Sequence, residues 1–158
     1  FVCDPNNNPE GASKHMQIFF LGYNRLSGTL PSNECLANRS SEALLNSFYA
    51  SNNLISGTIP AGFVCDPNNN PEGASKHMQI FFLGYNRLSG TLPSNECLAN
   101  RSSEARLQYF KASNNLISGT IPAGFVCDPI KNPEGASKNM QGFYVNSNRL
   151  SGTLPSNE

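Results

Sequence analysis

A long internal repeat limits what this chain of 158 residues can fold into. The opening pentapeptide FVCDP recurs at Phe63 and at Phe125, so the period is 62 residues. The second copy differs from the first at only four positions, and the third stops after 34 residues. Such self-similarity is typical of a stacked array of repeats. We expect one solenoid over residues 1–158, made of the double units 1–62 and 63–124 and a partial unit 125–158.

Each unit is itself built from two related half-units. The stretches 19–31 and 48–60 both fit the pattern apolar-x-apolar-x-x-Asn-x-apolar-Ser-Gly-Thr-apolar-Pro. Apolar residues at alternate positions predict a short strand with one buried face, and the Gly and Pro after it predict turns. A half-unit cannot bury its apolar face alone, so the five must stack. We expect a structural ladder in which the Asn amides satisfy backbone groups of neighbouring turns: Asn24, Asn53, Asn86, Asn115 and Asn148.

This pattern resembles the plant-type leucine-rich repeat (LRR), LxxLxLxxNxLSGxIP, in all five half-units. The resemblance implies an α/β solenoid of five turns with a parallel β-sheet on its concave face. It also implies turns and short helical pieces on the convex face, such as one at Ser41-Glu-Ala-Leu-Leu. Phe replaces the first strand Leu of the family pattern, which predicts a thicker core layer. Both ends of the chain fall within a unit, so we expect a segment of a longer array or a protomer that stacks end to end.

The charge balance and the hydropathy exclude several classes of function. Eleven Lys and Arg residues balance eleven Asp and Glu residues, so the chain lacks the positive charge typical of a nucleic-acid or anionic-membrane binder. The longest apolar run, residues 18–21, is far shorter than the ~20 residues that cross a bilayer. We therefore expect no nucleic-acid partner and no membrane insertion.

The sequence gives no basis for an enzyme. The histidines are His15 and His77, and the third copy has Asn139 at that place, which argues against a general base. The stretch 4–8 begins like a calcium loop, but Pro9 stands where that loop needs Gly, and an Asn-rich turn explains it better. We expect no catalytic residue, no metal and no cofactor.

Cysteines and sequons indicate an extracellular or cell-surface protein. The cysteines recur at spacings of 32 and 30 residues and should stack at the ~4.8 Å separation of adjacent turns, which permits disulfides. Either set of neighbours can pair, and a ladder of free buried thiols is the alternative. The sequons at Asn38 and Asn100 predict glycosylation. The disulfide candidates are Cys3, Cys35, Cys65, Cys97 and Cys127.

The outward face of the predicted sheet is rich in aromatic residues and in substitutions between the copies. This predicted exposed face includes Ser47 and Gly142. It also includes the residue four places before each Asn, which is aromatic in four of the five turns. Exposed aromatic residues supply rigid contact area and stacking platforms for proteins or sugars. High strand propensity and packing along the ladder explain them equally well. The predicted binding residues are Phe20, Tyr23, Tyr49, Phe82, Tyr85, Tyr109, Lys111 and Tyr144.

Two classes of function fit these features. The first is a non-catalytic extracellular scaffold, a fibre, matrix or surface coat whose copies associate end to end or laterally, and the near-identity of the units favours it. The alternative is a recognition module that binds a protein or a polysaccharide on its concave face. Ice binding ranks below both, because a single column of threonines is narrow: Thr29, Thr58, Thr91, Thr120 and Thr153.

Overall fold

The computed structural model describes five windows of the chain: residues 16–30, 45–60, 78–93, 107–122 and 140–155. Each window holds one half-unit and begins eight residues before its Asn. The cysteines, both sequons and the helical piece expected near residue 41 lie outside the described residues. Within the five windows the backbone forms strands and turns but no helix.

Each half-unit contributes two short strands. In chain order they are β1 (Ile18–Phe20), β2 (Ser27–Thr29), β3 (Ser47–Tyr49), β4 (Leu54–Thr58), β5 (Ile80–Phe82), β6 (Arg87–Ser89), β7 (Tyr109–Lys111), β8 (Ser118–Gly119), β9 (Gly142–Tyr144) and β10 (Arg149–Leu150). The odd-numbered strands form one parallel sheet in the order β1-β3-β5-β7-β9. The predicted LRR solenoid, with one parallel strand per turn, is therefore confirmed.

One register holds across the whole five-stranded sheet, so that equivalent residues form columns. The inward column consists of the phenylalanines that replace the family leucine, Phe19, Phe48, Phe81, Phe110 and Phe143. Neighbouring rings in this column have centroids 5.6 to 5.9 Å apart. The three central rings are buried and the two outer ones are partly buried. Each of these aromatic contacts contributes about 0.5–1.5 kcal/mol beyond its buried area, and the thicker core layer stays a prediction.

The Ser-Gly-Thr segments, which follow the ladder Asn in each half-unit, form a second set of parallel strand pairs. β2, β4 and β6 pair in parallel, β8 pairs with β10, and a bridge between Thr91 and Ser118 connects the two groups. The glycine in each segment has a positive φ, between +78° and +94°. Only glycine adopts this conformation without strain, which explains its presence in every half-unit. The Thr side chains of the ladder are exposed.

The ladder asparagines join each turn to the turn before it. The side-chain Nδ2 of Asn115 donates to the carbonyls of Leu83, in the preceding turn, and of Ala112, both at 3.1 Å. Its Oδ1 accepts from the backbone N–H of Leu88 at 2.9 Å. The amide therefore satisfies backbone groups that water cannot reach. Three further residues repeat this arrangement toward their own preceding turns: Asn53, Asn86 and Asn148.

The first described turn departs from the predicted ladder. Asn24 is exposed, and its Nδ2 donates to the carbonyls of Leu21 and Gly22 in its own turn. Leu26 is 42% exposed, although its equivalent Leu88 is buried. The physical reason is that no described turn precedes this one, so neither side chain has a described neighbour that covers it. The predicted bonding of the ladder amide to a neighbouring turn is therefore wrong for Asn24 among the described residues.

Candidate binding groove

The outward column of the five-stranded sheet forms an aromatic wall. It consists of Phe20, Tyr49, Phe82, Lys111 and Tyr144, which face each other in register across adjacent strands. The rings of Phe20 and Tyr49 stack with centroids 4.4 Å apart and planes inclined by 15°. Tyr49 then meets Phe82 edge to face at 5.2 Å. We call this column the aromatic wall.

Lys111 continues the wall although it is not aromatic. Its Nζ lies 4.4 Å from the ring centroid of Phe82 and 4.8 Å from that of Tyr144. Both distances are within the ~6 Å range of a cation–π interaction. The two rings hold the ammonium group in the column, but they carry no formal charge, and the described residues include no carboxylate to pair with it.

A second row of side chains lies one residue before each ladder Asn. The N–H of Tyr85 in this row donates to the carbonyl of Ser113 at 2.9 Å. The backbone of the row is left-handed, with φ of +58° at Tyr23 and +55° at Tyr85. This conformation is uncommon for a bulky residue and costs about 1–2 kcal/mol. Both tyrosines are well exposed, and Tyr23 is 85% exposed. The second row is completed by Asn52, Asn114 and Ser147.

Small side chains separate the aromatic wall from the second row. The floor residues, two positions before each Asn, are Gly22, Ser51, Gly84, Ser113 and Asn146. A β-carbon on Gly84 would lie 3.3 Å from the carbonyl oxygen of Ser113, so the absence of a side chain keeps the floor low. The result is a groove of about 650 Å³. It is lined by Phe20, Gly22, Tyr23, Tyr49, Ser51, Asn52, Phe82, Gly84, Tyr85, Lys111, Ser113, Asn114, Tyr144 and Asn146.

The structure brings most of the predicted binding residues together. Of the eight, Tyr109 is the one outside the groove lining, and its hydroxyl donates to Oε1 of Gln141 at 2.6 Å. Sequence reasoning did not include the floor residues among the predicted binding residues. The signal that could have found them is the small or short polar residue two places before every Asn.

Two residues predicted to be exposed on this face are buried. Ser47 is opposite Ile18 on one side and Ile80 on the other, and these larger side chains shield it. Gly142 is covered by two rings, because a β-carbon there would lie 2.9 Å from the ring of Tyr109 and 2.5 Å from that of its near neighbour Tyr144. In both cases the residue is smaller than its neighbours in the column. The predicted exposure of these two positions is wrong.

The groove offers contacts rather than reactive groups. The described windows contain no Asp, Glu, His or Cys, and no group of residues in them could hold a metal ion. No helix among the described residues has the length and apolar character needed to cross a membrane. The lining can stack on flat or apolar groups, form hydrogen bonds through hydroxyls and amides, and form one ion pair through Lys111.

Stacked parallel strands joined by an asparagine ladder define a leucine-rich-repeat solenoid. The chain is similar in fold to plant-type LRR proteins, because the solved structures that resemble it include a plant peptide hormone receptor and a plant LRR ectodomain. It superposes on the plant peptide hormone receptor RGFR1 in complex with RGF2 with a TM-score of 0.66 and 29% identity, over 90% of this chain and 18% of that one.

Two Arabidopsis thaliana proteins are also similar in structure. The BIR2 ectodomain gives a TM-score of 0.61 and 27% identity, over 86% of this chain and 57% of that one. The LRR ectodomain of the receptor kinase SOBIR1 gives 0.58 and 24%, over 90% and 61%. This chain thus spans less than two thirds of each of these structures. Comparisons with protein-family models and with curated proteins gave no match.

Proposed function

We propose that this chain is the recognition part of an extracellular or cell-surface LRR protein, and that it binds a peptide segment of a protein partner in the groove. The observation that carries this proposal is the groove itself, with an aromatic wall on one side and tyrosines on the other. Exposed rings on rigid strands supply large contact area at a low entropy cost, which is the composition of binding hot spots. The role is non-catalytic.

The dimensions of the groove suit an extended chain. Five strands at a separation of ~4.8 Å span ~19 Å, the length of about six extended residues. The floor offers the hydroxyl of Ser51 and the pair in which Ser113 Oγ donates to Asn146 Oδ1 at 2.5 Å. These polar atoms can exchange their hydrogen bonds for bonds to a peptide backbone. The complex of RGFR1 with RGF2 supports a peptide as the kind of ligand.

The tyrosines of the second row support the same proposal from their backbone geometry. Tyr23 and Tyr85 occupy left-handed positions where Asn52 and Asn114, with the same φ, stand in alternate turns. Asn tolerates this conformation better than Tyr. Strained residues concentrate at functional sites, where the strain serves the function. We infer that the tyrosines are retained for contact with a ligand rather than for stability.

The self-associating scaffold that the sequence placed first remains a prediction. It rests on the near-identity of the units, whereas the structural neighbours favour the recognition alternative. The two differ in particle size: long fibres in negative-stain micrographs would favour the scaffold, and discrete particles would favour recognition. The other ligands to test are a polysaccharide in the groove and ice on the Thr ladder.

A library of random linear heptapeptides displayed on phage tests the proposal. We expect the wild-type chain to retain a subset of phage and the triple variant Phe20→Ser, Phe82→Ser, Tyr144→Ser to retain at least tenfold fewer. The matched control is Thr29→Val, Thr91→Val, Thr153→Val, which alters three exposed residues of the other ladder and should retain phage normally. Circular dichroism and urea unfolding establish that both variants fold. Loss of retention in the Thr variant alone would refute the groove as the binding site.

A further inference from the structure

We propose that the groove selects an acidic peptide and that Lys111 fixes the position of the peptide carboxylate. This inference rests on the proposed function, since it names the chemistry of the ligand for the same groove. It starts from the distribution of charge between the described windows and the rest of the chain.

The part of the chain that carries the sheet is positively charged, although the whole chain is neutral. All eleven Asp and Glu residues lie outside the described windows. The charged residues inside them are all cations: Arg25, Arg87, Lys111 and Arg149. Separated charge of one sign on one surface creates a local potential that attracts the opposite charge, even when the net charge is zero. The described part of the sheet therefore offers a ligand cations and no carboxylate.

Among the described residues, Lys111 is the one charged residue that lines the groove. It is half-buried, and the rings of Phe82 and Tyr144 fix its ammonium group from two sides without neutralising it. No carboxylate is present in the described windows to pair with it. A carboxylate of the ligand can therefore supply the missing charge through a charge-assisted hydrogen bond, which is about twice as strong as a neutral one.

The uncharged positions of the aromatic wall determine which other side chains the acidic peptide must carry. The first three positions, Phe20, Tyr49 and Phe82, are uncharged rings that suit apolar or aromatic side chains. Tyr49 lies two strands from Lys111 in the sheet, a separation of ~10 Å or about three extended residues. The expected ligand is an extended peptide with an Asp or Glu three positions from an apolar residue.

The repeat itself supplies a matched variant. The residue equivalent to Lys111 is Tyr49 in the first unit and Tyr144 lies next to it in the column, so Tyr fits this place in the sheet. Lys111→Tyr removes the charge and places a flat ring at this position of the wall, as at Tyr49 and Tyr144. Arg149→Gln removes one positive charge from a described residue that does not line the groove. The pair separates a contact at Lys111 from the general positive field.

The experiment uses the heptapeptide library on wild-type, Lys111→Tyr, Lys111→Glu and Arg149→Gln chains. We expect Asp and Glu to be enriched at one position of the peptides that wild type and Arg149→Gln retain. Lys111→Tyr should lose that enrichment, and Lys111→Glu should select Lys or Arg instead. For a selected synthetic peptide, replacement of the acid by its amide should weaken binding about tenfold to hundredfold to wild type and less than threefold to Lys111→Tyr.

Each other outcome overturns the inference. Selected peptides without acidic enrichment would refute it while the proposed function stands. Equal loss in Arg149→Gln and Lys111→Tyr would assign the preference to the general field and not to Lys111. Retention of no peptide by the folded wild-type chain would refute the proposed function and the inference together, so the two failures are distinguishable.

Discussion

The side-chain methyl carbon of Thr58 lies 2.7 Å from the point that a β-carbon on Gly90 would occupy. Gly90 also has a φ of +78°, so two independent constraints require glycine there. The same relationship joins the Thr of one turn to the Gly of the next at Gly57, Gly119 and Gly152, where the distances are 2.9, 3.1 and 2.9 Å. In Ser-Gly-Thr, the threonine therefore fills the space above the glycine of the following turn.

We expect Gly90→Ala to lower the free energy of unfolding by about 2–5 kcal/mol, because left-handed strain of about 1–2 kcal/mol adds to overpacking of about 1–3 kcal/mol. Urea denaturation measures the change. The control is Gly28→Ala, which has a φ of +94° but no described atom within 4 Å of the new β-carbon. It should show the strain alone, and Thr58→Ser should restore part of the stability lost in Gly90→Ala. Equal losses at Gly90 and Gly28 would contradict the packing contribution.

Removal of a buried ladder amide should destabilise the chain strongly. Asn115 is 7% exposed and bonds to backbone groups of its own turn and of the preceding turn. We expect Asn115→Ala to cost about 2–4 kcal/mol, because the N–H of Leu88 and the carbonyl of Leu83 then lose a partner in a site that water does not reach. Asn24→Ala, at the exposed end of the ladder, should cost less than about 1 kcal/mol. Equilibrium unfolding of both variants gives the comparison, and a reversed order would contradict the ladder as a source of stability.

Replacement of Tyr85 by Asn should separate stability from binding. Asn114 has the equivalent place with a φ of +56°, so Asn fits the backbone of Tyr85 at +55°. We expect Tyr85→Asn to raise the free energy of unfolding by about 0.5–1 kcal/mol, because Asn adopts the left-handed region more readily. The same variant should retain fewer of the selected heptapeptides. A variant that is less stable and binds normally would refute the role assigned to Tyr85.

The cysteines allow a chemical test of the extracellular prediction. We expect at least one neighbouring pair among Cys3, Cys35, Cys65, Cys97 and Cys127 to be oxidised, since secreted proteins keep disulfides. Thiol titration of the denatured, unreduced chain should then find at most three free thiols, because each disulfide removes two of the five. The reduced chain is the control and should give five. Five thiols without reduction would refute the prediction.

Sequence reasoning predicted the sheet and most of the ladder because the same letters recur at the same offset in five half-units. Alternate apolar positions place Phe48 and Phe81 inward and Tyr49 and Phe82 outward, and one register satisfies every turn. Asn53 and Asn115 follow from the same offset. A pattern that agrees across copies leaves little freedom in register, since a shift by one residue would expose the entire apolar column.

The remaining features depend on neighbours that the pattern does not specify. Ser47 and Gly142 are buried because larger side chains beside them shield small ones, which a one-residue rule for exposure ignores. The left-handed backbone of Tyr85 and the docking of Thr58 on Gly90 depend on the path of the turn. The position of Lys111 between two rings depends on its rotamer. Each of these features depends on the positions of neighbouring residues in space.

The doubling of each sequence unit sets the increment by which the groove can change in length. One copy of 62 residues contributes two strands to the sheet, which corresponds to ~10 Å of aromatic wall. Recombination between such similar stretches would add or remove whole copies while the spacing from Phe20 to Phe82 stayed the same. Each added copy therefore lengthens the groove by the same step, and the length of the groove can match the length of a ligand without any change in its lining.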